Sequence, residues 1–134
     1  MLISRETDYA LRILRSLLDG ERKSVGDIST EEMIPQQFAY KIMKKLSRAG
    51  LVEITRGVGG GCSLSADLRA VSLYDLMQAM DERFAVNACM DPSYQCPRRE
   101  IHGGCAAHSQ LALIQQKLDQ ELRSHDLKTL LSGS

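Results

Sequence analysis

A mainly α chain carrying one small β-hairpin is the fold class this sequence predicts, and three observations predict it. Apolar residues recur at helical spacing over most of the 134 residues. One stretch, residues 51–65, reads instead as two short strands about a glycine-rich turn. Aromatics make up only 4% and Trp is absent, so the core is left to Leu, Ile, Val, Met and Ala, which favours helices.

The first helix is expected from Ile3 to Leu18, where Ile3, Ala10, Leu11, Ile13, Leu14, Leu17 and Leu18 share a helical period. Ser4 suits its cap and Asp19-Gly20 its stop. Ser24 precedes a short helix over Val25 to Glu31. Pro35 fits the first turn of a third helix, which runs to about Ala49 with Phe38, Ile42, Met43 and Leu46 inward and Gly50 as its end. Outward it carries Gln36, Gln37, Tyr40, Lys41, Lys44, Lys45 and Arg48. Two helices joined by so few residues form a helix-turn-helix pattern. Leu51 to Thr55 and Cys62 to Ser65 then read as strands joined by Arg56-Gly-Val-Gly-Gly-Gly61, a turn that needs positive φ. A hairpin directly behind a helix-turn-helix is a wing, so the expected architecture is a winged helix-turn-helix.

A further helix follows over Ser72 to Met80, with Leu73, Leu76, Met77 and Met80 buried. Residues 82–104 show no period and hold two prolines and two cysteines, as functional or irregular loops do. A helix of about 28 Å resumes from Cys105 to Arg123 at ~1.5 Å per residue. Its narrow stripe of Leu111, Ile114, Leu118 and Leu122 suits pairing with another helix. Leu127 to Leu131 is a short apolar tail.

Composition bounds the function. Hydrophobic residues are 43% and charged residues 25%, and seventeen basic residues balance seventeen acidic ones. That excludes a polybasic tail but not a local patch. No apolar run approaches the ~20 residues of a membrane span. The opening residues carry charges where a signal peptide is apolar, so a cytoplasmic protein is expected.

Residues 35–56 hold Lys41, Lys44, Lys45, Arg48 and Arg56 against Glu53, a local +4 in a neutral chain. A helix enters the major groove when it is exposed and flanked by cations that meet phosphates. Gln36, Gln37 and Tyr40 are types that reach base edges, and the lysines suit phosphates. Arg56, with Gly57 and Gly59 in its turn, makes a hairpin tip slim enough for a minor groove. Taken singly, a lysine-bearing face is ordinary solvated helix. The glycine turn alone could cradle a phosphate, but it lacks the Lys-Ser/Thr ending of a nucleotide loop. Together they point to DNA.

Cys89, Cys96 and Cys105 fall within seventeen residues. In a reducing compartment such clustering suggests a metal or redox role before a disulfide framework. Three soft ligands on a loop can close around one metal ion or an iron–sulfur cluster, with a fourth ligand from elsewhere. His108, one turn beyond Cys105, His102 inside the loop and Asp8 on the first helix are the candidates. An inert or disulfide-forming set of thiols is the plainer alternative. Cys62, within the wing, reads as a small apolar residue. A thiol enzyme using His102 or His108 as base lacks any substrate-pocket motif and leaves the lysine-rich helix unexplained, so no catalytic residue is assigned.

Thr7-Asp-Tyr-Ala-Leu-Arg12, Leu46-Ser-Arg-Ala-Gly-Leu-Val52, Arg56-Gly-x-Gly-Gly-Gly61 and the three-cysteine loop before a long helix resemble the Rrf2 family of winged helix-turn-helix regulators, in its IscR-like and NsrR-like cluster-sensing branches. The resemblance runs over essentially the whole chain. It implies a homodimer paired through the long helix, reading a palindromic operator in double-stranded DNA, commonly as a repressor. It also implies an iron–sulfur cluster, two-iron or four-iron, that senses iron–sulfur supply, nitric oxide or redox state. The thiolate ligands fall on Cys89, Cys96 and Cys105. The fourth falls on His108 by the IscR-like pattern, or on Asp8 of the partner subunit by the NsrR-like one. Two features depart from the family: the cysteine gaps of six and eight residues are longer, and Cys62 replaces an aromatic or aliphatic residue. A cluster-free regulator acting by cysteine oxidation or through a protein partner is the alternative. The implied organisation is a DNA-binding domain over residues 1–81, a cysteine-bearing sensor loop over 82–104, and a dimerisation helix and tail over 105–134.

Overall fold

The computed structural model describes residues 2–80 and 84–133. Helix α1 spans Arg5–Ser16, α2 Val25–Glu32 and α3 Gln36–Arg48. Strands β1 (Val52–Thr55) and β2 (Gly61–Leu64) follow, then a 3-10 turn over Leu68–Ala70 and helix α4 (Leu73–Ala79). Beyond lie a second 3-10 turn over Ala88–Met90, α5 (Pro97–His102), α6 (Ala106–Ser124) and α7 (Leu127–Ser132). The mainly α fold with one hairpin is therefore the observed one. The division expected between residues 81 and 82 lies outside the described residues. Among the described residues no helix is long and apolar enough to cross a membrane.

Helix starts follow their caps. Ser4 accepts from the Thr7 N–H at 3.2 Å and Ser24 from the Asp27 N–H at 3.1 Å. Ser72 and Asp75 satisfy each other's backbone N–H groups as a capping box at the start of α4. Pro35 sits at the cap position of α3, one residue before its first turn. The core is where α1, α2, α3 and α4 meet. Ala10, Ile13, Leu14, Leu17, Ile28, Ile42, Leu46 and Leu76 are fully buried there. Each large apolar side chain so placed contributes roughly 1.5–3 kcal/mol.

Two expectations about facing are corrected. Phe38 is 41% exposed, because the inward stripe of α3 is Ala39, Ile42, Met43 and Leu46. The small Ala39 takes the core position, and Phe38 instead meets the Tyr9 ring at a tilt of 57°, 6.0 Å between centroids. Leu73 is only half-buried at the start of α4.

A polar clamp fixes α1 to α2. The Arg15 guanidinium grips both carboxylate oxygens of Glu32, which is 8% exposed, and Arg12 donates to the Glu32 carbonyl at 3.2 Å. On the other side Lys23 Nζ donates to the Ser16 carbonyl at 2.7 Å and pairs with Glu31 at 3.2 Å.

The wing is antiparallel, with Val52 opposite Leu64 and Thr55 opposite Gly61. Its second strand is also paired from the far side: Lys23 and Cys62 exchange both backbone hydrogen bonds, at 2.9 and 2.8 Å. Glycine is required twice here by close approach. A Cβ on Gly60 would stand 2.3 Å from the Thr55 carbonyl oxygen, and one on Gly61 2.4 Å from that of Lys23. The wing is thus fastened to the chain entering α2.

The region read as unpatterned contains short helices. The Ala88–Met90 turn and α5 are three and six residues long, below the length at which a period can register. The tail is helix α7, capped by Asp126. It returns to the N-terminal core, burying Leu127 fully and exchanging backbone hydrogen bonds with residues 71–73.

Candidate nucleic-acid interface

The exposed side of α3 and the wing enclose a groove of about 890 Å³. Tyr40, Lys44 and Arg48, at four-residue spacing on α3, form one wall, and Arg56, Gly57 and Gly60 of the wing form the other. Gln36 and Gln37 are exposed in the first turn of α3, ahead of the groove. Gly59 and the fully exposed Val58 sit at the tip. Ser47 and Thr55 also line the groove and were missed in the sequence. Ser47 stands seven residues from Tyr40 on the same helical face, so its spacing was the available signal.

The lysines of α3 do not all face this groove. Lys41 and Lys45 lean the other way, onto Glu6 of α1, at 2.8 and 2.9 Å. Lys45 is 16% exposed and also donates to the Met80 carbonyl, so the expectation that it points outward is corrected. The ammonium of Lys41, then that of Lys45, holds the Glu6 carboxyl below its usual range. The cationic face is divided: Lys44, Arg48 and Arg56 at the groove, Lys41 and Lys45 against α1.

Of the three loop cysteines, one lies inside a helical turn and two stand at helix starts. Cys89 lies in the Ala88–Met90 turn, where the Asn87 side-chain amide donates to its Sγ at 3.4 Å. Cys96 precedes α5, and Cys105 caps α6 by accepting the His108 N–H at 3.4 Å. That N–H, with the Ala107 N–H and the Arg98 and Arg99 guanidinium groups, lowers the Cys105 thiol from its ordinary value. Cys62 is the opposite case. It is fully buried in the wing and burial pushes its thiol up to about 11.

An iron–sulfur cluster asks for soft anionic donors. The chemistry here suits one: all four cysteines are free, the three in the loop are partly exposed, and the His108 Nδ1 is buried without a hydrogen-bond partner. The geometry within one protomer is not assembled. Among the described residues no three Cys, His, Asp or Glu side chains converge on one ion. Asp8 is paired with Arg12 at 3.0 Å, and His102 is exposed on α5. The start of the loop is tied to α6 by Gln115, whose side chain accepts from the Val86 N–H at 2.8 Å and donates to the Phe84 carbonyl at 3.2 Å.

Residues 3–133 match the Rrf2 family, described as iron-dependent transcriptional regulators. The chain belongs to the Rrf2 family. It is thereby related to transcription regulators and not to enzymes. An HTH-type transcriptional regulator of Rhodobacter capsulatus described as rrf2-like is 31% identical over 111 residues, 78% of this chain and 74% of the relative. Protein aau3 of Rhizobium meliloti is 32% identical over 100 residues, which are 72% of this chain and 65% of that protein. Among solved structures, IscR of T. potens superposes with a TM-score of 0.72 at 17% identity, covering 99% of this chain and 88% of that one. CymR of B. subtilis, titled the global cysteine regulator, superposes with a TM-score of 0.70 at 22% identity, covering 100% and 98%. These two likenesses establish the Rrf2 fold here.

Proposed function

We propose that this Rrf2 protein is a dimeric, sequence-specific DNA-binding regulator of the cytoplasm, acting as a repressor at a palindromic operator. The observation that carries the reading is the shared groove, where Tyr40, Lys44 and Arg48 of α3 stand opposite Arg56 of the wing. In this reading α3 enters the major groove, with Gln36, Gln37 and Tyr40 toward base edges. Lys44 and Arg48 meet phosphates, and Arg56, with Gly57 and Gly59 in its turn, follows the minor groove. Lys41 and Lys45 serve α1 first. Of the stripe expected to pair, Leu122 is 6% exposed and already packed within the protomer and Leu111 and Leu118 are half-buried, so pairing through α6 is supported by Ile114, with Leu113 beside it, each 52% exposed.

The test uses a duplex selected from a randomised pool and its binding across a salt series. Lys44→Ala lowers affinity for all duplexes alike and reduces the slope of log affinity against log salt by about one. Arg56→Ala weakens binding as well. A slope unchanged by Lys44→Ala would remove its phosphate role.

The switch is assigned to the cysteine loop. Cys89, Cys96 and Cys105 would hold an iron–sulfur cluster, with His108 or Asp8 of the partner subunit as fourth ligand. When bound, such a cluster supplies a centre responsive to iron–sulfur supply, redox state or nitric oxide. The chain's own part is positional: Cys105 fixes the loop to the start of α6, Gln115 fixes its other end, and a loop so held biases the spacing of the two α3 helices in the dimer. A second reading is favoured by the unassembled donors within one protomer. In it the partly exposed thiols act without a cluster, by oxidation.

A further inference from the structure

Glu6, in the first turn of α1, belongs to neither the groove nor the buried apolar core. Its two carboxylate oxygens are divided between Lys41 and Lys45 of α3, at 2.8 and 2.9 Å. The two lysines are held differently. Lys45 is 16% exposed and donates to the Met80 carbonyl besides, which ties it between α1 and the end of α4. Lys41 is 57% exposed, while the Glu6 Oε1 it pairs with is buried and is met by ion contact without a hydrogen bond of sound geometry. With its lysine this exposed the pair is screened by solvent on one side, so a phosphate oxygen arriving beside Lys41 competes with the carboxylate on close terms. A carboxylate standing next to α3 also repels the phosphates that Lys44 and Arg48 attract.

We infer that Glu6 is an internal counter-anion for α3, holding Lys41 in a pair that DNA phosphate must displace and so setting how many cations the chain offers the duplex. This rests on the reading of α3 as the DNA-facing helix. Lys44, Arg48 and Arg56 are then standing contacts, while Lys41 is a reserve whose use depends on where α1 lies. Any shift of α1 away from α3 releases one more cation to the DNA, and α1 also carries Asp8. Glu6 acts through Lys41 and touches no base or phosphate, so it is a positioning residue.

The experiment measures binding of the full-length chain to one selected duplex over a salt series, for wild type, Glu6→Gln, Lys41→Ala, their double variant and Lys44→Ala. Glu6→Gln is expected to bind more tightly and to steepen the salt slope by about one, since one more counterion is released. Between 50 and 200 mM salt it would then lose roughly 3-fold more of its affinity than wild type does. Lys41→Ala alone leaves the slope near the wild-type value, and in the double variant it cancels the gain. Thermal unfolding followed in the same samples separates these changes from loss of fold. A Glu6→Gln protein that is folded but has an unchanged or shallower slope overturns the inference. Should Glu6→Gln not fold, Lys41→Ala decides: a slope reduced by about one, as for Lys44→Ala, makes Lys41 a standing contact and overturns it too. If Lys44→Ala also leaves the slope unchanged, the DNA-facing reading of α3 fails and this inference with it. A loss with Lys44→Ala but no gain with Glu6→Gln removes the inference alone.

Discussion

Cys62 and Cys105 are the same side chain under opposite conditions. Cys105 stands at the open start of α6, where N–H groups and two arginines favour its thiolate. Cys62 is walled in by the wing and by the backbone of Lys23 paired with it, and burial disfavours a charge there. Its thiol, ordinarily at 9.0, is pushed up to about 11. Below pH 9 the thiol is neutral in both folded and unfolded chains. As pH rises from about 9 toward 11 the unfolded chain gains a thiolate that the folded chain refuses, so stability falls across that window. Chemical unfolding of wild type and Cys62→Ala at stepped pH should show a loss on the order of 2 kcal/mol in wild type beyond that of the variant. Parallel curves for the two proteins would mean that the thiol ionises in place. The sequence allowed the apolar reading of Cys62 from its position within a strand. It could not show the lowered Cys105 thiol's partners, because Arg98 and Arg99 act through the turn that α5 makes.

At the scale of elements, the helices with a long apolar stripe were legible, and so was the hairpin behind them. What escaped was set by partners distant in the chain. Lys44 and Lys45 are adjacent and alike in sequence, yet one faces the groove and the other is drawn inward by Glu6, 39 positions away. Phe38 looked like core by its hydrophobicity, but Ala39 fits the tight approach of α3 to α1. The cysteine loop escaped for a different reason. Its helical pieces are too short to carry a period, and its order comes from single caps and from Gln115. The loop's function has a direct readout at this scale. Protein isolated without oxygen is expected to be brown with visible absorbance, and Cys96→Ala to be colourless. Colourless wild-type protein whose cysteines pair after mild peroxide would transfer the switch to the thiols themselves.

For the whole molecule, the parts are joined at two ends of the chain. The wing is bound to the entry of α2 through the Lys23–Cys62 pairing, and α7 is bound to the core through Leu127. Helix α6 starts at the cysteine loop and ends where α7 docks, with Arg123 stacked 4.0 Å over the Tyr74 ring of α4. In the proposed switch, a change at the loop would reach the N-terminal core through this one continuous helix. In the proposed reading, the groove between α3 and the wing is the face that an operator meets. Lysine acylation read by mass spectrometry, with and without a saturating duplex, maps that face in one experiment. The account predicts that DNA shields Lys44 strongly and leaves Lys117 and Lys128, on α6 and α7, as reactive as in the free protein. Shielding of Lys117 or Lys128 with Lys44 unprotected would contradict it.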